Sequence, residues 1–173
     1  MGFPPFDYPR ARRQAADSMA LRRANIRMTL AEREDFLDKG RTLYLSSHGT
    51  DGFPHLVAMW YARDGDRILM TTYRKSQKVT NLLANPRAAL LLETGTTYDT
   101  LRGVFLRGHC EVLDVEALAV RTLEGIRQRS DGPSQSSPEI LEGMRLQAKK
   151  RVVLAFRPEK IRTWDHAKLG GTY

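Results

Sequence analysis

Three short runs of strand-type residues, Arg41 to Ser47, His55 to Ala62 and Arg67 to Tyr73, follow one another with only turns between them. The first turn is His48-Gly-Thr-Asp-Gly52 and the second is Arg63-Asp-Gly-Asp66, both rich in the residues that reverse a chain. Strands joined this tightly pair antiparallel, because a parallel partner needs a crossover of about a dozen residues or more. The spacing therefore predicts an antiparallel meander and excludes a βαβ beginning.

The flanking segments fit around such a sheet. Thr29-Leu-Ala-Glu32 has the form of a capping box, and it predicts a helix from Leu30 to about Asp38 that Gly40 ends. Gln77 to Ala84 reads as a short helix stopped by Asn85-Pro86, and Arg87 to Glu93 as a fourth strand, apolar enough to lie inside the sheet. After a loop from Gly95 to Leu101, Gly103 to Leu113 is a long fifth strand. Asp114 is placed to cap a helix reaching about Arg129, with Leu118, Thr122, Leu123 and Ile126 on one face. Ser137-Pro138 opens a further helix ending near Lys149, and Arg151 to Trp164 is a sixth strand, irregular around Pro158. Six antiparallel strands with inserted helices make a mainly β fold, a small closed barrel.

Length and charge set the remaining bounds. A chain of 173 residues is one domain, or one domain with an extension. Its 28 Lys and Arg against 20 Asp and Glu give a net charge of +8. Six arginines and two aspartates lie before Met28, so residues 1–28 read as a basic arm, with a short helix from about Arg13 to Ala24. The domain proper is residues 29–173. Neither Arg-Arg pair is followed by an apolar segment, and no apolar run spans a bilayer, so a cytoplasmic location is expected. The lone cysteine, Cys110, forms no internal disulfide and points away from its neighbour His109 on a strand. His48, His55, His109 and His166 are too scattered to read as a metal site, and none is expected. No hydrolytic or nucleotide-binding signature occurs, and no catalytic residue is assigned.

The densest chemistry lies in Thr71-Thr-Tyr-Arg-Lys-Ser-Gln-Lys-Val-Thr-Asn81. Arg74, Lys75 and Lys78 sit where a strand hands over to a helix, and the helix dipole there already presents positive charge. A bound anion reverses that conflict. Helix amides, the Ser76 and threonine hydroxyls and the lysines would then converge on a phosphate. A solvated basic turn is the competing reading of the same residues.

Gly52-Phe-Pro-His-Leu-Val-Ala-Met-Trp-Tyr61, the segment from Ile68 to Asn81, Asn85-Pro86-Arg87 and the ending Trp164-Asp-His-Ala-Lys-Leu-Gly-Gly-Thr-Tyr173 together resemble the split-barrel flavin-binding superfamily. That superfamily includes the pyridoxamine 5'-phosphate oxidases and the flavin- and deazaflavin-dependent reductases. The resemblance runs from Thr29 to the end. It implies a six-stranded antiparallel split β-barrel of FMN-binding type, and a homodimer with cofactors in interface grooves. It also implies that His55, Val57, Ala58, Met59 and Trp60 lie along the cofactor ring. Thr71, Thr72, Lys75, Ser76, Gln77 and Lys78 would hold the ribityl chain and phosphate, and Asn81 matches an asparagine of the deazaflavin branch. The tail, with Trp164, His166 and Lys168, would close over the ring. The cofactor would be FMN or coenzyme F-420. Gln77 stands where FMN-using members often carry arginine, and the Arg-Leu-x-Pro type tail of true pyridoxamine phosphate oxidases is missing. A basic surface at Arg74 and Lys75 would suit the oligoglutamate tail of coenzyme F-420.

The function so implied is hydride transfer between that cofactor and a small organic substrate. The alternative is a non-enzymatic flavin carrier or haem-binding protein on the same fold, with His55 or His166 as axial ligand. A nucleic-acid-binding module is disfavoured, because its basic residues lack the interleaved aromatics of single-strand binders.

Overall fold

Cap chemistry and alternation set the elements of the computed structural model, which describes residues 23–132 and 136–170. The strands are β1 (Thr42–His48), β2 (Pro54–Trp60), β3 (Ala62–Asp64), β4 (Arg67–Tyr73), β5 (Arg87–Thr94), β6 (Arg102–Leu113) and β7 (Arg151–Asp165). The helices are α1 (Leu30–Lys39), α2 (Gln77–Ala84), α3 (Glu116–Asp131) and α4 (Pro138–Ala148). All seven strands belong to one antiparallel sheet in the order β2-β1-β5-β6-β7-β4-β3. No helix among the described residues is long and apolar enough to cross a membrane.

The strand count corrects the expected six, and the extra strand forms where the run His55 to Ala62 ends and the expected turn Arg63 to Asp66 begins. His55 to Trp60 lies in β2, which pairs with β1, while Ala62 joins Arg63 and Asp64 in β3, which pairs with β4. These two strands are the opposite edges of the sheet, yet a single residue joins them. The sheet must therefore curl until its edges adjoin, and the meander expected between the second and third runs is broken: β4 pairs with β3 and β7, not with β2. Tyr61 is the cause. It and Ala62 are buried in succession, which a regular half-exposed strand does not allow. The Tyr61 hydroxyl donates to the Leu37 carbonyl at 2.6 Å, and the Arg129 guanidinium lies 4.4 Å from its ring centroid.

Two apolar clusters result. Leu43, Leu45, Ile68, Met70, Leu90, Leu106, Leu154 and Phe156 fill the barrel, together with Cys110, whose thiol burial pushes up to about 12. Leu69, Val153 and Ala155, on the other face of β4 and β7, pack against Ala119 of α3 and Ala148 of α4. The anticipated irregularity near Pro158 is a register shift opposite Arg107 and Gly108. One local expectation is corrected. Asp114 does not cap α3, whose N-cap is Val115; its carboxylate is instead in an ion pair with Arg74. Gly40 ends α1 as expected, in an extended conformation with φ −67°. A Cβ there would fall 2.4 Å from a Leu92 methyl, so a larger residue would have to displace that side chain.

The start of α1 carries the expected capping box. Thr29 N–H donates to Glu32 at 2.6 Å, and Glu32 N–H donates to the Thr29 hydroxyl at 3.2 Å. Glu32 also accepts from Lys168 at 2.6 Å, while Lys168 donates to the Arg27 carbonyl at 2.8 Å. The Lys168 and Thr29 hydrogen bonds together hold the Glu32 carboxyl at about 2, below the ordinary 4.5. A depressed carboxylate stabilises the fold above its unfolded value, and the contribution fades as pH falls from 4.5 toward about 2. In Glu32→Gln that part of the acid limb of a melting-temperature profile should flatten; an unchanged limb would disprove the clip. Just before α1, Ile26 accepts from Asp165 N–H at 2.7 Å and Met28 N–H donates to Thr163 at 3.0 Å. The helix expected from about Arg13 to Ala24 lies almost wholly outside the described residues.

Candidate active site

The division at Tyr61 creates an opening. β3 covers only Arg67 to Leu69 of β4, so Met70 to Tyr73 has no strand on that side. β2 is likewise unpaired on the side away from β1. Continuing the register that sets Ala62 opposite Leu69 would put Trp60 opposite Thr71, but the two strands part instead. Both residues line a cleft of about 480 Å³, with Ala58, Met59, Arg151, and Leu123, Ile126 and Met144 from α3 and α4. An edge strand carries a row of unsatisfied amides and carbonyls, so this border can hydrogen-bond a flat heterocycle.

Alternation on β4 gives its two threonines separate duties. Thr72 faces the barrel with Met70, whereas Thr71 faces outward with Leu69, toward the helices. The Thr72 hydroxyl lies 3.1 Å from that of Ser76 and accepts from the Lys78 ammonium at 3.1 Å. Ser76 is the N-cap of α2, but its side chain makes no cap bond. The Gln77 and Lys78 amides therefore keep the free hydrogens of a first helical turn, and no acidic residue stands there. Lys78 has no carboxylate partner among the described residues, and partial burial pushes its ammonium below the ordinary lysine range. A half-buried cation, two hydroxyls and a helix start form a cradle of donors of the kind a phosphate accepts.

Asn81 anchors this cradle. It is fully buried, accepts from Gln77 at 2.8 Å and donates to the Ser47 hydroxyl of β1 at 3.2 Å. His55, opposite Ser47 in register, shares the inner face of β2 with Val57 and Met59, and its buried Nδ1 has no hydrogen-bond partner. Lys75 is exposed, and Arg74 is held by Asp114, so Lys78 is the cation the cradle keeps. Among the described residues, no cluster of three or more His, Cys, Asp or Glu could hold a metal ion.

The residues named from sequence thus fall into three groups. Thr72, Ser76, Gln77, Lys78 and Asn81 form the cradle and its support. Ala58, Met59, Trp60 and Thr71 line the adjoining cleft, with His55 and Val57 on the neighbouring strand face. Trp164, Lys168 and the exposed Lys75 join neither group. Trp164 covers Gly103, where a Cβ would meet its ring at 2.1 Å, and Lys168 clips the start of α1. His166 accompanies them, its ring 4.3 Å from that of Tyr98. Sequence reasoning missed Ser47 and Arg151. The sequence reading placed Arg151 only as the start of a strand; β4–β7 pairing sets it beside Tyr73.

Known proteins share this arrangement of strands. A conserved hypothetical protein of Mycobacterium tuberculosis is 40% identical, with a TM-score of 0.80, over 87% of this chain and 93% of that one. An F-420 reductase is 28% identical, with a TM-score of 0.57, over 74% of this chain and 94% of that one. HutZ, the haem storage protein of Vibrio cholerae, shares the fold alone, at 13% identity and a TM-score of 0.61 over 78% of this chain and 94% of that one. No curated protein matches the chain. The sequence profile described as pyridoxamine 5'-phosphate oxidase matches residues 29–165, from the capping threonine of α1 to the last residue of β7, and the chain belongs to that family.

Proposed function

We propose that the chain is an oxidoreductase that moves a hydride between a bound flavin-type cofactor and a small organic substrate. The observation that carries this reading is the cradle. Lys78, Thr72, Ser76 and the first amides of α2 bring together an ammonium, two hydroxyls and unpaired helix amides, the donor set a phosphate accepts. Beside it, the open border of β2 offers a ring its backbone groups, and the orphaned Nδ1 of His55 offers one more polar contact. When bound, the cofactor supplies the hydride chemistry. The protein's part is to fix the phosphate end at Lys78, align the ring between β2 and β4, and exclude water with Met59 and Trp60. Coenzyme F-420 is the favoured cofactor, supported by Gln77 in the cradle and by the 28% identity to an F-420 reductase; FMN is the second choice.

A homodimer belongs to the same reading. Tyr44, Leu56 and Trp60 point to the outer face of β1 and β2, with exposures of 45%, 63% and 65%, an apolar area suited to a second copy. Purified protein titrated with coenzyme F-420 or FMN should give a deazaflavin or flavin absorption band that co-elutes with a dimer. A protein that binds neither, or shows a Soret band instead, would refute the oxidoreductase reading. Among the described residues Lys39 pairs only with Asp35, on the surface, so Lys39→Ala should titrate like the unaltered chain.

A further inference from the structure

The cleft between β2, β4 and the α3–α4 pair contains a cation that the cradle does not use. Arg151 opens β7 beside Tyr73, with its guanidinium 4.6 Å from the Tyr73 ring centroid. Nη1 donates to the Thr71 hydroxyl at 3.5 Å, whereas Nε has no acceptor and is shielded from solvent. No carboxylate among the described residues pairs with Arg151. The acid that lines the cleft, Asp131, lies 4.0 Å from Arg127, also in its lining. Arg151 is thus the uncompensated charge of a cleft whose other walls include Leu123, Ile126, Met144 and Met59.

We infer that this cleft binds an apolar-bodied organic carboxylate, seated on the Nε–Nη2 edge of Arg151. Thr71 takes the Nη1 corner and Tyr73 stacks on the guanidinium plane, so the orientation of the fork is set before a ligand arrives. The free edge offers two parallel N–H donors, the pattern a planar carboxylate accepts. An acceptor there also ends the isolation of the buried Nε–H, which is costly while unmet. A phosphate dianion suits the cleft less well, since a single guanidinium edge would face two negative charges. The volume of about 480 Å³ admits a fused ring beside the acid group. The cradle and this arginine lie on opposite faces of β4, so one ligand end does not displace the other. That the acid is the substrate of hydride transfer rests on the function proposed above; its binding does not.

Calorimetric titration of the full chain with 2-naphthoate and with neutral 2-naphthamide tests the inference. The acid should bind about tenfold or more tighter than the amide, as a charged bidentate contact predicts. Arg151→Met should erase that preference, and Arg151→Lys, which keeps the charge without the fork, should restore only part of it. Equal binding of acid and amide by the unaltered chain would overturn the inference whether or not either variant folds. So would a preference that survives in a folded Arg151→Met, or inorganic phosphate competing as well as naphthoate. The same preparation is titrated with coenzyme F-420 and FMN. Acid preference without cofactor binding would keep the carboxylate site and sink the oxidoreductase reading, and cofactor binding without acid preference would do the reverse.

Discussion

Titrated with its phosphate-bearing cofactor, Lys78→Met should bind about 10- to 100-fold more weakly than the unaltered chain, the worth of one charge-assisted hydrogen bond. The loss follows from where the ammonium sits. It is half-buried, held at 3.1 Å by a hydroxyl and faced by no carboxylate among the described residues, so it is a charge that an anion would relieve. That burial lowers its proton affinity, and phosphate binding restores it. Affinity should therefore fall as pH rises through the lowered lysine value, a dependence that Lys78→Met should lack. The same reasoning predicts that Lys78→Met melts no lower than the unaltered protein, and somewhat higher below that value, because folding no longer half-buries a charge. An unchanged Kd, or a pH slope retained in the variant, would remove Lys78 from the site.

The second large effect is on stability. Tyr61→Ala should cost about 3–5 kcal/mol in denaturant unfolding, the range for deleting a buried aromatic ring. Tyr61 is 1% exposed, and its ring packs against the Arg129 guanidinium. Tyr61→Phe should cost roughly 1 kcal/mol or less. The Leu37 carbonyl that loses the hydroxyl still accepts from Arg129 at 2.7 Å, so it is not left unsatisfied. The contrast matters: a large loss in both variants would make the hydroxyl the essential part, and a small loss in both would mean that the ring does not hold the sheet's two edges together.

Local chemistry was legible in the sequence where one segment decides the outcome. The Thr29 and Glu32 cap, the Ser137-Pro138 start of α4 and the positions of Ser76 and Lys78 all depend on neighbours within six residues. Gly40 was legible as a stop, but its close approach to Leu92, far along the chain, was not. The break at Tyr61 was hidden, since His55 to Ala62 contains no proline or glycine to announce it. What ends that strand is the need to serve both edges of one sheet. Asp114 looked like a cap until the fold placed Arg74 beside it. Ser47 and Arg151 were invisible as site residues for the same reason: they reach Asn81 and Thr71 across 34 and 80 positions of sequence.

One pleat of β4 now has a meaning for how such a chain can be altered. Thr71 and Thr72 turn to opposite faces, one toward the arginine and one toward the lysine. Either can be exchanged for another residue at a cost confined to its own side. Adding or deleting a single residue between Met70 and Tyr73 is different, since it would turn every later side chain of the strand to the other face. Sequence drift can tune the two compartments one at a time, but the length of this strand is common to both.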